Sequence, residues 1–89
     1  MDTINVVGIR WPKSVDVLNQ RKLEPVVETV LNEKESINHA VTTMLFDRGF
    51  NQCLVKWKDS VYVCDHKDNK QRTFSGSKVD YHPYIMYLK

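Results

Sequence analysis

Glycine, proline and cysteine are scarce in this 89-residue chain, which has three glycines, three prolines and two cysteines. Gly8, Gly49 and Gly76 stand far apart, so the sequence contains no glycine-rich loop that could surround a phosphate group. Cys53 and Cys64 lack the closely spaced partner that marks a compact zinc site. The usual sequence signs of nucleotide-binding enzymes and zinc proteins are therefore missing, and no cofactor or metal is expected.

Long apolar runs are also missing. The longest is Tyr84–Leu88, whereas a membrane-spanning helix needs about 20 apolar residues. The N-terminus has no cationic stretch followed by an apolar one, as a secretory signal would. With 42% hydrophobic and 27% charged residues, the sequence predicts a single soluble domain over residues 1–89, with one small core and a cytoplasmic location.

Charge is distributed unevenly along the chain. The formal net charge is +2, but residues 1–50 carry six basic and seven acidic side chains, and residues 51–89 carry seven and four. The basic excess therefore belongs to the C-terminal half. This asymmetry points to an anionic partner.

Two groups of apolar residues predict either one long bent helix or two consecutive helices. The first group follows Pro25, a residue that suits the first turn of a helix, and consists of Val26, Val27, Val30 and Leu31. The second group has clear helical spacing and ends before Gly49: Ile37, Ala40, Val41, Met44 and Leu45. A break is expected near residues 32–36, where Asn32 and Glu35 have capping-box spacing. A hairpin over residues 40–58 is the alternative.

The remaining predicted elements are strands. They are Thr3–Trp11, which is apolar on both faces and so interior, then Gln52–Lys58, Val61–His66 and Tyr84–Leu88. Residues 14–23 suit a short helix or a loop equally. The sequence thus predicts an α+β fold in which one helical layer packs on a mostly antiparallel sheet of about four strands, in the order β-α(α)-β-β-β.

The turn between the second and third predicted strands decides which side chains share a face. A three-residue turn, Lys58–Ser60, aligns the apolar side chains best and places Trp57 in the core. A two-residue turn would instead group Trp57 with Tyr62 and Cys64. We expect that Cys53 and Cys64 are not directly opposed in either case, and that they are free thiols in the core.

Residues 66–78 form the most distinctive segment, with four cations and one aromatic ring: Lys67, Lys70, Arg72, Phe74 and Lys78. Such a loop suits an acidic protein patch. It also suits RNA or single-stranded DNA, if Phe74 stacks on a base. A solvated loop with no ligand is the simplest interpretation.

Tyrosines mark the C-terminal region. Tyr81, Tyr84 and Tyr87 are candidate anchors for a partner protein, because tyrosine combines a large contact area with a polar tip. Alternatively, the residues of the last strand complete the core. A strand at the edge of the sheet would also allow a homodimer.

These features favour a small non-enzymatic regulator or inhibitor that occupies a protein partner, of the kind that phages and accessory genes encode. Nucleic-acid binding through residues 66–78 is the alternative. A third hypothesis is a nuclease using His66, His82 or a tyrosine. The predicted element order is similar to that of small ribosome-dependent endoribonuclease toxins, but no motif here maps onto theirs.

Overall fold

The computed structural model describes residues 2–10, 25–70 and 73–88. Within them, five antiparallel strands form one sheet in the order β2-β1-β3-β4-β5. The strands are β1 (Thr3–Ile9), β2 (Val26–Leu31), β3 (Gln52–Trp57), β4 (Ser60–Asp65) and β5 (Ser77–Val79). Helix α1 (Lys34–Thr42) continues into a π-helical turn (Thr43–Asp47), and a 3-10 helix (Ile85–Tyr87) lies near the C-terminus.

The predicted α+β class is confirmed, as is the interior position of β1. That strand lies between β2 and β3, and it buries Ile4 and Val6 on one face and Val7 and Ile9 on the other. A strand that is apolar on both faces can be covered only when it is central to a sheet with a layer on each side. Residues 14–23, for which the sequence favours a short helix and a loop equally, lie outside the described residues.

The predicted helix before Gly49 is confirmed, and the alternative hairpin over residues 40–58 is not formed. All five residues of the second apolar group are buried against the sheet. The helix widens in its last turn, where the Arg48 N–H donates to the Thr43 carbonyl at 2.9 Å. Gly49 then adopts a positive φ of 73°, which ends the helix and turns the chain into β3.

The helix predicted to begin after Pro25 is wrong, because residues 26–31 form strand β2. Three valines and a leucine within six residues cannot distinguish the two states, since a short apolar run satisfies both periods. β-branched residues lose side-chain freedom in a helix but pack well on a pleated sheet. The break expected near residues 32–36 is the junction of strand and helix. Glu33 caps α1 there without a side-chain hydrogen bond, so the predicted capping box is wrong too.

The predicted strand Tyr84–Leu88 is also wrong. The strand on the outer side of β4 is Ser77–Val79, which begins inside the loop predicted over residues 66–78. The last residues instead form a turn and the 3-10 helix, whose hydrogen bonds include Tyr87 N–H to the Tyr84 carbonyl at 3.1 Å. From there Tyr84 and Leu88 pack on the sheet face opposite α1.

The hairpin β3–β4 has a two-residue turn, so the favoured three-residue turn is wrong. Lys58 and Asp59 have φ values of 50° and 64°, and a two-residue turn with two left-handed residues matches the twist of paired strands. Neither residue is glycine, which hid the turn from sequence patterns. In this register Cys53 pairs directly with Cys64, which contradicts the expectation that they are not opposed. Both are nevertheless free and buried, as predicted.

Two apolar clusters cover the two faces of the sheet. The helix-side face packs Val6, Val55 and both cysteines against α1, and Val26, Trp57 and Phe74 lie at its margin. The opposite face, here called the C-terminal face, buries Val7, Ile9 and Leu54 under Tyr84 and Leu88. Within the described residues, every helix is too short or too polar to cross a membrane.

Candidate protein-binding surfaces

The C-terminal segment, Tyr81–Leu88, presents most of the large apolar side chains that the described residues expose. Tyr81 and Met86 are each 75% exposed and Tyr87 is 40% exposed. The rings of His82 and Tyr84 have centroids 5.8 Å apart, and those of Tyr84 and Tyr87 are 6.1 Å apart. The rings of His82, Tyr84 and Tyr87 therefore form a continuous aromatic strip along this segment.

The C-terminal segment is held on the sheet by few groups. Tyr84 and Leu88 pack against the cluster of Val7, Ile9 and Leu54. The buried Asn5 side chain donates from Nδ2 to the Tyr87 carbonyl at 3.1 Å. Asn5 Oδ1 in turn accepts a hydrogen bond from Thr29 Oγ1 at 3.1 Å. The segment is thus fixed in place while its outer side chains remain exposed. Of the three predicted anchors, Tyr81 and Tyr87 are available to a partner, whereas Tyr84 also serves the core.

The basic loop, residues 66–78, is organised around one buried polar side chain. Asn69 is 1% exposed, and its Nδ2 donates to the carbonyls of Asp65 and Ser75 at 2.8 and 2.7 Å. The Ser75 N–H donates back to Asn69 Oδ1 at 3.0 Å. A Cβ at Gly76 would lie 2.9 Å from the Val63 carbonyl oxygen, so only glycine fits where the loop returns to the sheet. Residues 65–70 and 73–76 are therefore held in one geometry.

The lysines of the basic loop are exposed, whereas the ring of Phe74 packs against the sheet. Lys67, Lys70 and Lys78 are exposed, and Arg72 lies outside the described residues. Phe74 is half-buried, with its ring 5.8 Å from that of Trp57 and 5.6 Å from that of Tyr62, both edge-on. Its N–H donates to Asn38 Oδ1 of α1 at 2.5 Å. The sequence suggested Phe74 as a base-stacking residue, but its ring is half-buried against Trp57 and Tyr62.

The predicted cations and tyrosines do not form one surface. Phe74 ties the basic loop to the helix-side face, and Tyr84 ties the C-terminal segment to the opposite face. Lys78 pairs with Tyr62 on β4 and so points to the helix side at the sheet edge. A partner that contacts the tyrosines over a flat area would therefore not reach Lys67 and Lys70 at the same time.

The two histidines of the nuclease hypothesis are likewise separated by the sheet. His66 Nε2 donates to the Phe50 carbonyl at 2.9 Å, and its ring lies edge-on to Phe46 at 5.2 Å, beside the helix. His82 lies with Tyr84 on the C-terminal face, and its Nδ1 accepts the Tyr84 N–H at 3.1 Å. Partial burial lowers the pKa of His82 below its ordinary value. The structure does not bring them together as an acid–base pair.

Both thiols are buried, which favours their protonated, unreactive form. Burial, with a smaller contribution from Glu28, raises the pKa of Cys53 to about 12, and burial raises that of Cys64 as well. Cys53 Sγ lies 3.7 Å from Met44 Sδ within the core. No described group of three His, Cys, Asp or Glu side chains is arranged to hold a metal ion.

A further concave surface lies between β2 and α1, and the sequence analysis missed it. This groove has a volume of about 610 Å³ and is lined by Glu28, Val30, Leu31, Glu35, Ser36, His39, Ala40 and Thr43. It was missed because residues 26–31 were predicted as helix. The high content of β-branched residues in Val26–Leu31 was the signal that could have found it.

Comparison of the chain with protein-family models, with curated proteins and with solved structures finds no match. The surfaces themselves are therefore the basis for a functional proposal.

Proposed function

We propose that this chain is a small non-catalytic domain that regulates or inhibits a partner protein by occupying it. The observation that carries this proposal is the exposure of Tyr81, Met86 and Tyr87 on a segment that is fixed to the sheet. A preorganised apolar surface binds with little loss of conformational entropy. Tyrosine in particular is enriched among the residues that dominate binding energy at protein interfaces.

The mechanism is steric. The aromatic strip along the C-terminal segment makes the apolar contact, with Tyr81 and Met86 as the most exposed anchors. The lysines of the basic loop are tied to the other face, so an acidic patch on the partner would meet them only if the partner wraps around the sheet edge at β5. Charge there would increase the association rate and specificity more than the affinity.

Affinity capture from nuclease-treated lysate of the source cell tests this proposal. We would compare the unaltered chain, a Tyr81→Ser/Met86→Ser variant and a Lys67→Glu/Lys70→Glu variant. The proposal expects one discrete protein on the unaltered chain, its loss on the Tyr81→Ser/Met86→Ser variant, and its retention on the lysine variant. Equal capture by all three chains would remove the C-terminal segment from the proposal.

Nucleic-acid binding is a second candidate, supported by a recess of about 370 Å³ in the basic loop. Lys67, Lys70, Thr73 and Ser75 line this recess together with Asp68. Two cations and two hydroxyl-bearing side chains suit a phosphate, although the packing of Phe74 leaves the site without a ring to stack on a base. Binding to a single-stranded RNA oligonucleotide should then weaken with salt, with a log–log slope of about −1 to −2. Binding that salt does not weaken would dismiss this candidate.

A further inference from the structure

The outer edge of β2 carries backbone groups with no strand partner among the described residues. The Asn32 N–H donates to the Asp2 carbonyl at 3.0 Å, which places residue 32 in a hydrogen-bonded pair with β1. Because such pairs alternate along an antiparallel ladder, the even-numbered residues of β2 bond to β1. The backbone N–H and carbonyl groups of Val27 and Thr29 therefore point away from the sheet, and both residues are exposed.

Among the described residues, strand β2 lacks the features that usually protect a sheet edge from further pairing. Natural edges are blocked by outward charges, proline, bulges or very short strands. β2 is six residues long and regularly paired over its whole length, and it contains no proline. Its single charged residue, Glu28, has its side chain on the helix side, where Arg48 forms an ion pair with it.

The groove between β2 and α1 runs beside this edge on the helix side. A strand added to β2 would direct every second side chain into the groove, since strand side chains alternate between faces. The floor there is apolar, with Val30 and Ala40, and the charged side chains that line it are the carboxylates Glu28 and Glu35. Arg48 balances Glu28, while Glu35 is exposed and leaves the groove with negative charge.

We propose that the β2 edge and the adjoining groove bind an extended segment of a partner protein as a sixth strand. Main-chain hydrogen bonds to Val27 and Thr29 supply affinity, and the groove selects aliphatic and basic side chains on alternate positions of the segment. This site is separate from the C-terminal segment. It uses a different edge and the opposite face of the same sheet.

A second copy of this chain fits the edge less well. Pairing β2 with its symmetry mate about Glu28 places two carboxylates directly opposite each other, which is destabilising. The alternative register about Thr29 pairs Glu28 with Val30 of the other copy, and so adds a carboxylate to a groove that already holds two. A segment with lysine or arginine at the groove-facing positions has the complementary charge.

A displayed library of random twelve-residue peptides, selected on the intact chain, tests the proposal. We expect enriched peptides to alternate aliphatic and basic residues and to bind the Val27→Thr variant unchanged. They should lose at least tenfold in affinity on Val27→Pro, which lacks the outward N–H but keeps every bond to β1. The Glu35→Lys variant should weaken binding in the same peptides, while Tyr81→Ser/Met86→Ser should not.

Amide hydrogen exchange on the unaltered chain provides a second measure that needs no variant to fold. Selected peptides should slow exchange at Val27 and Thr29, leaving Glu28 and Val30, already bonded to β1, little changed. The proposal is overturned if no peptide is enriched, or if enriched peptides bind Val27→Pro as well as Val27→Thr. A concentration-dependent dimer that Val27→Pro abolishes would also overturn it, by assigning the edge to a second copy.

Discussion

The two faces of the sheet are covered in different ways. On the helix-side face, eleven residues form a buried cluster in which most side chains are entirely inaccessible. On the C-terminal face, the described part of the chain has a buried apolar cluster of only three residues, Val7, Ile9 and Leu54, under the partly exposed Tyr84 and Leu88. The helix-side face therefore contributes most of the described apolar burial, while the C-terminal face leaves apolar side chains accessible.

This difference indicates that the helix-side face mainly stabilises the domain and that the C-terminal face is the one available for binding. Close packing of α1 on the sheet gives a fixed scaffold, and changes there are expected to lower stability. The C-terminal segment adds fewer buried contacts, so changes to its outer side chains should leave the fold intact. Stability and binding can then be altered separately.

The largest expected effect comes from truncating a leucine on the helix-side face, and the matched comparison is a leucine on the C-terminal face. Leu45, in the π-helical turn that continues α1, is fully buried, and Leu45→Ala should lower the free energy of unfolding by about 2–5 kcal/mol. Leu88 is half-buried, and Leu88→Ala should cost only about 1–2 kcal/mol. Urea denaturation followed by circular dichroism measures both. Equal losses would contradict the difference between the faces.

Alkaline pH should destabilise the helix-side face. Cys53 has a pKa raised from an ordinary value of 9.0 to about 12 by burial. Both thiols are protonated in the folded chain at pH 9, but an unfolded chain begins to lose those protons there. Stability should therefore fall as the pH rises from about 9 towards 12.

The urea midpoint at pH 8 and pH 10.5 measures this effect. Lysines and tyrosines also titrate in that range, so the control is a Cys53→Ala/Cys64→Ala variant, whose midpoint should fall less steeply than that of the unaltered chain. A variant with an identical slope would show that the buried thiols do not contribute.

Acid pH should destabilise the C-terminal face, and this effect should be smaller than that of alkaline pH on the helix-side face. Burial lowers the folded pKa of His82 below the unfolded value of 6.5. A lowered histidine pKa stabilises the fold above pH 6.5, and that contribution is lost as the pH falls through the folded value. Protonation at Nδ1 would also remove the acceptor for the Tyr84 N–H.

The amide resonances of residues 82–88 should accordingly shift between pH 7 and pH 5, while those of β1 and β3 stay in place. The His82→Gln variant, which does not titrate there, is the control. Shifts of the same size in the central strands would mean that the two faces respond as one unit.

The smallest effect is expected at the proposed anchors themselves. Tyr81 and Met86 are 75% exposed, so Tyr81→Ser and Met86→Ser should each change the free energy of unfolding by less than about 0.5 kcal/mol. Thermal unfolding of both variants measures this. A loss as large as that of Leu88→Ala would show that these side chains support the fold and are not free for a partner.

Sequence patterns predicted the elements whose periodicity was unambiguous. The apolar stripe from Ile37 to Leu45 repeats over two turns and identified the helix and its buried face. The short run Val26–Leu31 fits strand and helix alike, and only pairing with β1 decides between them. The register of β3 and β4 depended on a turn at Lys58 and Asp59 that has no glycine to mark it.

In the candidate sites, the sequence could predict only the exposure of side chains whose type makes them solvent-exposed, such as lysine. Lys67 and Lys70 are exposed, as a solvated loop requires, and Lys78 is exposed on β5. Nothing in the sequence shows that Asn69 fixes the loop. The positions of Phe74 and Tyr84 on opposite faces depend on long-range packing. The groove beside β2 depends on residues 26–31 being an edge strand, which their β-branched side chains favoured but did not establish.

Amide hydrogen exchange at equilibrium tests most directly whether the two faces differ in stability. The donors Ile85, Tyr87 and Leu88 belong to the C-terminal segment, and buried donors such as Val55 belong to the central strands. The present account predicts that the segment opens at a lower free energy than the global unfolding that exposes Val55. Equal opening free energies at Tyr87 and Val55 would contradict it, because the segment would then be as integral to the core as the helix.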